Sequence, residues 1–289
     1  MRQRVMAASE ANTSVEYSDP FGECVETHAG RQVGENLPML KHLAMLMVVP
    51  ASASRPSRRD RRRQETIDDI KATARGQLAE RGPAGISLRA IARHLDMTAS
   101  AVHYYFPSRR ALLDALIVDG FGSLADALRS RYESAATAVP PAEQWLAVCR
   151  AHRAWALGHQ SEYLLLYGHD GGGAAKRRHP RVQQAMSNIV DVLFAIMRNA
   201  VATGEIDTEG IEAATPTPLR GQLASWRDAK HGIGELPDGA LAACMIAYAQ
   251  LHGAITLELV AHVPSQLTDH SALFDLEMVH AYASLCRQR

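Results

Sequence analysis

The stretch 86–110, ISLRAIARHLDMTASAVHYYFPSRR, constrains the fold more strongly than any other part of the chain. Its apolar residues recur at helical spacing in two short runs, which the turn 96–98 separates. Ser87 and Thr98 stand where the two runs begin, and their hydroxyl oxygens can accept hydrogen bonds from the first-turn N–H groups of a helix. The pattern therefore predicts two short helices joined by a tight turn.

The second short helix is poorly suited to core formation. Val102 and Phe106 lie one turn apart and are predicted to be buried, so the other residues of the helix face mostly outward. These outward residues are Ala99, Ser100, His103 and Tyr104. An ordinary helical hairpin has the same spacing. A helix-turn-helix, which places its second helix in the major groove of DNA, also accounts for the polar and aromatic face.

The flanking sequence favours the helix-turn-helix. The turn and the run 104–116, YYFPSRRALLDAL, resemble the DNA-binding domain of the TetR family of bacterial transcriptional regulators, and the resemblance covers about residues 64–131. It implies an all-α fold, in which an N-terminal three-helix helix-turn-helix DNA-binding domain joins a larger helical ligand-binding and dimerisation domain. The chain departs from the usual family pattern at Asp96, His103 and Arg109, where glycine, tyrosine and lysine are common.

Composition divides the chain into three parts. Residues 1–54 have no sustained helix or strand period and are predicted to be a disordered extension. Residues 55–110 are predicted to form the DNA-binding domain with a basic arm, its first helix spanning 64–81, and residues 111–289 the helical effector-binding and dimerisation domain. The formal net charge is zero overall, yet residues 55–110 carry 13 Lys and Arg against 6 Asp and Glu. This local excess is typical of a domain that binds a polyanion.

The cysteines and histidines predict no metal site. Four cysteines, at positions 24, 149, 244 and 286, are too far apart for a metal finger or a disulfide framework, which favours a reducing, cytoplasmic location. The histidines form no recognisable metal motif. We therefore expect no metal, no cofactor and no membrane partner.

The candidate DNA-binding residues fall into three groups. An arginine run that includes Arg58, Arg59 and Arg62 precedes the first convincing helix, and is interpreted as an arm that follows phosphates or enters the minor groove, or as a solvated arm. The resemblance implies that Arg89 reaches DNA, where arginine can pair with both acceptors of guanine. The remaining candidates are Ala99, Ser100 and His103 for base edges, Tyr104, Tyr105 and Arg109 for phosphates and packing, and the two capping residues Ser87 and Thr98.

Two apolar stripes near the C-terminus have two interpretations. The residues involved are Leu241, Cys244, Tyr248, Leu251, Ile255 and Leu259 on one helix, and Leu276, Val279, Ala283 and Cys286 on the next. They could form core within the chain or a four-helix interface with a second copy. We favour the homodimer, because helix-turn-helix proteins read palindromic sites in pairs.

Aromatic and amphipathic residues of the C-terminal helices are the candidate ligand-binding residues. Such side chains line apolar cavities, although they also fill ordinary cores. They are Trp155, Tyr163, Tyr167, Trp226, Tyr248 and His252. The segment 251–253 and the run 163–168 also resemble one subgroup of TetR-like effector domains, which implies a ligand-sensing domain without identifying the ligand.

The leading functional hypothesis is a homodimeric repressor that a small-molecule effector releases from a palindromic operator in double-stranded DNA. One alternative is a helical enzyme with a basic substrate site, although no nucleophile, base and orienting group stand at a recognisable spacing. The other is a chromosome-associated DNA binder that needs no effector.

Overall fold

The computed structural model describes residues 57–135, 139–168, 180–229 and 236–286, so the predicted extension 1–54 lies outside the described residues. Within these ranges the regular structure is helical, apart from one isolated β-bridge between Ile206 and Cys286, which confirms the all-α fold. The helices are α1 Arg58–Arg81, α2 Leu88–His94, α3 Ala99–Tyr105, α4 Arg109–Ala135, α5 Pro141–Gly158, α6 Gln160–Tyr167, α7 Pro180–Ala202, α8 Thr208–Ala214, α9 Thr217–Ala229, α10 Asp238–Leu259 and α11 His270–Ala283.

The helix-turn-helix is formed by α2 and α3. The Ser87 hydroxyl accepts from the N–H of Ala90 at 3.3 Å, and the Thr98 hydroxyl accepts from the N–H of Ala101 at 3.1 Å, which confirms both predicted caps. The turn residue Asp96 has φ 52°, a left-handed conformation that aspartate tolerates better than most residues. Because isolated helices of seven residues are marginal in water, packing must stabilise this pair.

The first helix begins six residues earlier than predicted. The Ser57 hydroxyl accepts from the N–H of Asp60 at 3.1 Å, and the Asp60 carboxylate accepts from the N–H of Ser57 at 3.2 Å. These reciprocal bonds form a capping box, and arginine is a good helix former, so α1 starts at Arg58. The interpretation of the arginine run as an arm ahead of the helix is therefore wrong for residues 58–63, which form the first two turns of α1, while Arg55 of the same run lies outside the described residues.

A continuous α4 joins the head, α1 to α3, to the body formed by α5 to α11. Leu112 and Leu116 are buried near its start, and Phe121, Leu124 and Leu128 are buried further along. All of these side chains belong to one hydrophobic core. The head is consequently attached to the body by packed helix rather than by a linker.

The apolar stripe predicted on α10 faces the chain's own core. Leu241, Leu251 and Ile255 are fully buried, so the interpretation of this stripe as a dimer interface is wrong. The helix is apolar on nearly all sides, and a different set of its residues is exposed. That set consists of Met245, Ile246 and Leu257, and Val260 directly after the helix is exposed as well.

The stripe predicted on α11 lies on the outside of the body. Leu276 is 66% exposed and Val279 is 51% exposed, while Phe274 and Met278 of the same helix are buried. The outer faces of α10 and α11 thus leave a set of large apolar side chains that the described part of the chain does not cover.

Two helices, α7 and α10, are long and apolar enough to cross a membrane by length and composition alone. In this fold both are core helices. Ile189, Leu193 and Met197 of α7 are buried, and so are Leu251 and Ile255 of α10. Packing within the body therefore explains the apolar character of their buried sides.

Candidate DNA-binding surface and ligand site

The outer face of α3 is open. Ala99, Ser100 and His103 are exposed, and Tyr104 is 67% exposed, while Val102 on the opposite face is fully buried. The sequence predicted this division from one helical turn of apolar spacing. The residues chosen for base edges therefore stand where a DNA groove can reach them.

The first two turns of α1 lie beside this face. The guanidinium of Arg63 donates to the Tyr104 hydroxyl at 3.2 Å and lies 5.4 Å from the centre of that ring and 5.6 Å from the ring of Tyr105. An open groove of about 760 Å³ runs between the two helices. Its lining residues include the predicted Arg58, Arg59 and Arg62. The basic run and α3 consequently form one surface.

The remaining DNA-binding candidates are placed unequally. Arg89 is exposed on α2, whereas Tyr105 is partly buried and packs against the core. The guanidinium of Arg109 is exposed and donates to the carbonyl of Pro83, which ties α4 to the turn 83–85. Ser87 and Thr98 use their hydroxyls as helix caps.

Four of the six predicted ligand residues meet in one buried cluster, which we call the ring cluster. It contains His252 of α10 and the rings of Tyr167 and Tyr248, each with its centroid 4.2 Å from the imidazole. The Tyr163 hydroxyl is hydrogen-bonded to Nδ1 of His252 at 2.8 Å. The fifth member, His152 of α5, has its ring centroid 5.0 Å from that of His252.

The two tryptophans predicted for the ligand site lie elsewhere. Trp155 stacks on His159 and donates to the Ser123 hydroxyl at 3.0 Å, because its indole faces α4. Trp226 packs on Phe194 of α7. The two tryptophans therefore contact other side chains than those of the ring cluster. Sequence reasoning omitted His152, although its position on the inward face of α5 was a usable signal.

The ring cluster holds polar groups that burial has left without partners. Within the described residues, neither nitrogen of His152 has a hydrogen-bond partner, and neither does Nε2 of His252. Burial, followed by the neighbouring His252, holds the pKa of His152 well below its ordinary value. Burial also lowers the pKa of His252 from 6.5 to about 4, and raises the pKa of Tyr163 to about 12. At neutral pH these groups are uncharged.

A charged network connects the head to the helix that carries Tyr163. Arg75 of α1 contacts Glu162 of α6 at 2.8 Å and Asp119 of α4 at 2.9 Å. Lys71 of α1 contacts the same Asp119 at 3.0 Å. Glu162 and Tyr163 are adjacent in the chain, so one short helix contacts both the ring cluster and the head.

The two buried histidines predict a specific dependence of stability on pH. The unfolded chain binds protons on them below about pH 6.5, whereas folded His252 resists protonation until about pH 4. The free energy of unfolding should therefore fall as pH decreases across this window. For His252 alone the loss is about 3 kcal/mol.

This dependence can be measured by urea denaturation of wild type and the His252→Asn variant between pH 7 and pH 4. The variant should lose stability less steeply with falling pH. Trp155→Phe is the control, because it lowers stability without removing a titratable group. Parallel slopes in all three proteins would contradict the assignment.

Comparisons with known proteins agree with this architecture. Residues 70–116 match the model of the bacterial regulatory proteins of the tetR family, and residues 145–281 match a tetracyclin repressor-like C-terminal domain. The HTH-type transcriptional regulators Rv1816 of Mycobacterium tuberculosis and Mb1846 of Mycobacterium bovis are each 32% identical over 222 residues, which cover 76% of this chain and 92% of each relative.

Solved structures show the same fold. The regulatory protein SCO4313 is 26% identical, with a TM-score of 0.60, and the match covers 78% of this chain and 98% of that one. A protein of unknown function from Rhodococcus sp. RHA1 is 23% identical, with a TM-score of 0.56, and the match covers 76% and 95% of the two chains. Because the chain has a helix-turn-helix head on a helical body and is similar to these regulators, it belongs to the TetR family of transcriptional regulators.

Proposed function

We propose that the chain is a homodimeric repressor, which a small-molecule effector releases from a palindromic operator. The observation that carries this proposal is the open face of α3, where Ala99, Ser100 and His103 stand clear of the body beside a row of arginines. Family members are regulators rather than enzymes, so the alternative of a helical enzyme is set aside. Action on chromosomal DNA supports the predicted cytoplasmic location.

The helical form of the arginine run supports phosphate contact rather than entry into the minor groove. An α-helix is about 10 Å across with its side chains, whereas the minor groove of B-DNA is about 6 Å wide. The first turns of α1 can instead lie along the phosphate backbone while α3 occupies the adjacent major groove. Tyr104, held by Arg63, fixes the two helices relative to each other.

The outer faces of α10 and α11 support pairing with a second copy. Large apolar side chains on a soluble regulator need a partner, and the family likeness favours an identical chain over a different one. A two-fold axis through this face would present two α3 helices to successive major grooves, about 34 Å apart.

The position of α6 supports a route for the effector signal. A ligand that displaces Tyr163 moves α6, and Glu162 on the same turn is paired with Arg75 of the head. Ligand binding can release DNA only if the ligand has a higher affinity for the arrangement of the two heads that does not bind DNA. The contacts of Arg75 with Glu162 and Asp119 would then differ between the arrangement that binds DNA and the arrangement that does not.

Specific recognition can be tested at Arg89. Arg89→Ala should weaken binding to the DNA upstream of the protein's own gene by about 1–3 kcal/mol and relax one base preference, because the variant cannot form an arginine–guanine pair. A fluorescence anisotropy titration against operator and scrambled DNA measures both effects. Arg131→Ala, an exposed residue near the far end of α4, is the control. Equal affinity of wild type for operator and scrambled DNA would instead support a nonspecific chromosome binder.

Phosphate contact by α1 predicts a change in salt dependence. Replacing Arg58, Arg59 and Arg62 together with Gln should flatten the slope of log affinity against log salt by about 0.9 for each phosphate that the variant no longer neutralises. The sequence preference should persist, since phosphates carry no base information. If the slope stays at the wild-type value, the basic turns of α1 do not contact DNA.

Dimerisation through α11 predicts a clear change in mass. Leu276→Glu combined with Val279→Glu would place unpaired carboxylates across a symmetric interface, so the dimer should dissociate roughly a hundredfold more readily. Sedimentation equilibrium measures this change. Leu219→Glu alters a similarly apolar exposed residue on α9 and should leave the dimer intact. Unchanged dimers of the double variant would place the interface on another face.

A further inference from the structure

We propose that the effector is an uncharged molecule that carries a hydroxyl group on an aromatic body, and that His152 and His252 bind this hydroxyl. The role of this molecule as effector rests on the proposed function, whereas its binding at the ring cluster does not. Polar atoms that the fold leaves without partners point to this chemistry.

His152 is the central residue of this proposal. It is fully buried, and within the described residues neither of its ring nitrogens has a hydrogen-bond partner. Each buried polar group without a partner costs about 1–3 kcal/mol, so such groups are uncommon unless something else binds them. A neutral imidazole has one N–H donor and one acceptor nitrogen, so its two nitrogens require partners of opposite kinds.

His252 extends this requirement. Its Nδ1 is engaged by the Tyr163 hydroxyl at 2.8 Å, while its Nε2 has no partner in the described part of the chain. The two imidazole rings are neighbours, with centroids 5.0 Å apart and planes at 86°. A ligand group that lies between the two rings would therefore be close to both of them.

Among simple polar groups, a hydroxyl fits these nitrogens best. A hydroxyl can donate one hydrogen bond and accept two, so a single oxygen can pair with Nε2 of His252 and with one nitrogen of His152, whichever of the two carries a proton. A carboxylate accepts only, and an alkylammonium donates only. A carboxylate can therefore pair only with nitrogens that carry a proton, and an alkylammonium only with nitrogens that do not, whereas a hydroxyl can pair with either kind.

The electrostatics of the ring cluster also exclude a charged ligand group. The neighbours of the two histidines are the neutral rings of Tyr163, Tyr167 and Tyr248. The nearest charged residues along the same helices are already paired, Arg153 with Glu258 at 2.6 Å and Glu162 with Arg75 at 2.8 Å. An ion placed among the rings would be desolvated without a counter-charge, which is strongly unfavourable.

The ring contacts favour an aromatic body for the ligand. Tyr167 and Tyr248 each place a ring 4.2 Å from His252, in tilted and edge-on arrangements. A flat ligand ring can take part in such packing with the same offset and edge-to-face geometry. The hydroxyl then provides orientation, and the ring provides buried apolar area.

The proposal can be tested with three fragments of similar size, 4-fluorophenol, 4-fluorobenzoate and 4-fluorobenzylammonium, by ¹⁹F NMR titration of the full chain without DNA at pH 7.5. Binding of small fragments is expected in the millimolar range. The phenol should bind at least about tenfold more tightly than either ion, which corresponds to one satisfied hydrogen bond without a buried charge.

Variants locate the binding. His152→Phe and, separately, Tyr163→Phe should each weaken phenol binding by about fivefold or more, since each removes a polar group of the cluster. His159→Phe is the control. His159 lies between α5 and α6 and stacks on Trp155, so this variant should bind the phenol as wild type does. Tyr163→Phe changes only one hydroxyl, so it tests the site even if His152→Phe fails to fold.

Preference for the carboxylate or the ammonium, phenol binding that neither variant weakens, or no phenol binding would overturn the proposal. None of these outcomes bears on operator binding, which is measured separately. A protein that binds the phenol but no specific DNA would disprove the repressor while leaving the site intact.

Discussion

The continuous burial of α4 is the constraint on which the rest of the structure depends. A helix of 27 residues spans about 40 Å, and its apolar side is buried from Leu112 near the start to Leu128 near the end. The head therefore cannot reorient freely, as it could on a flexible linker. Any movement of α3 relative to the body has to involve a shift of α4 against α5, α6 and α7.

The same constraint explains how helices as short as α2 and α3 can be presented to a ligand as large as DNA. Seven residues provide too few backbone hydrogen bonds for independent stability. Ile91, Val102 and Phe106 anchor the pair in the core shared with α1 and α4, and two hydroxyl caps complete the first turns. Ala99, Ser100 and His103 on the outer face of α3 consequently take no part in this core, so they can vary with the operator.

The sequence predicted this head well because its signals are local. Ser87, Thr98 and the Val102–Phe106 spacing act within one or two turns, where capping and periodicity are reliable. The start of α1 was missed because a dense run of arginines looked like a solvated arm, although the Ser57–Asp60 capping box was present in the sequence. The capping box predicts the observed helix start, whereas the high density of positive charge favours a solvated segment at the same residues.

The body was harder to predict because its contacts join distant segments. α10 is apolar on nearly every side, so periodicity identifies a buried helix without showing which face meets its own chain; Leu251 proved to be core and Met245 exposed. Likewise, α5 and α10 bring His152 and His252 together across 100 residues, a pairing that no spacing rule predicts. The aromatic composition predicted six residues for one site; the structure brings four of them together, and composition alone cannot separate these four from Trp155 and Trp226.

The unsatisfied imidazoles also bear on how much energy a ligand could use to move the head. Satisfying one buried polar group recovers about 1–3 kcal/mol, and coupling between two sites in regulators is typically of the same size, about 1–3 kcal/mol. The ring cluster can therefore supply the required energy without a charge or a metal ion. That energy acts on DNA affinity only to the extent that the DNA-bound arrangement leaves the nitrogens less accessible to the ligand. Since Tyr163 and Glu162 are consecutive on α6, a small rotation of this helix alters the ring cluster and the Arg75 contact together.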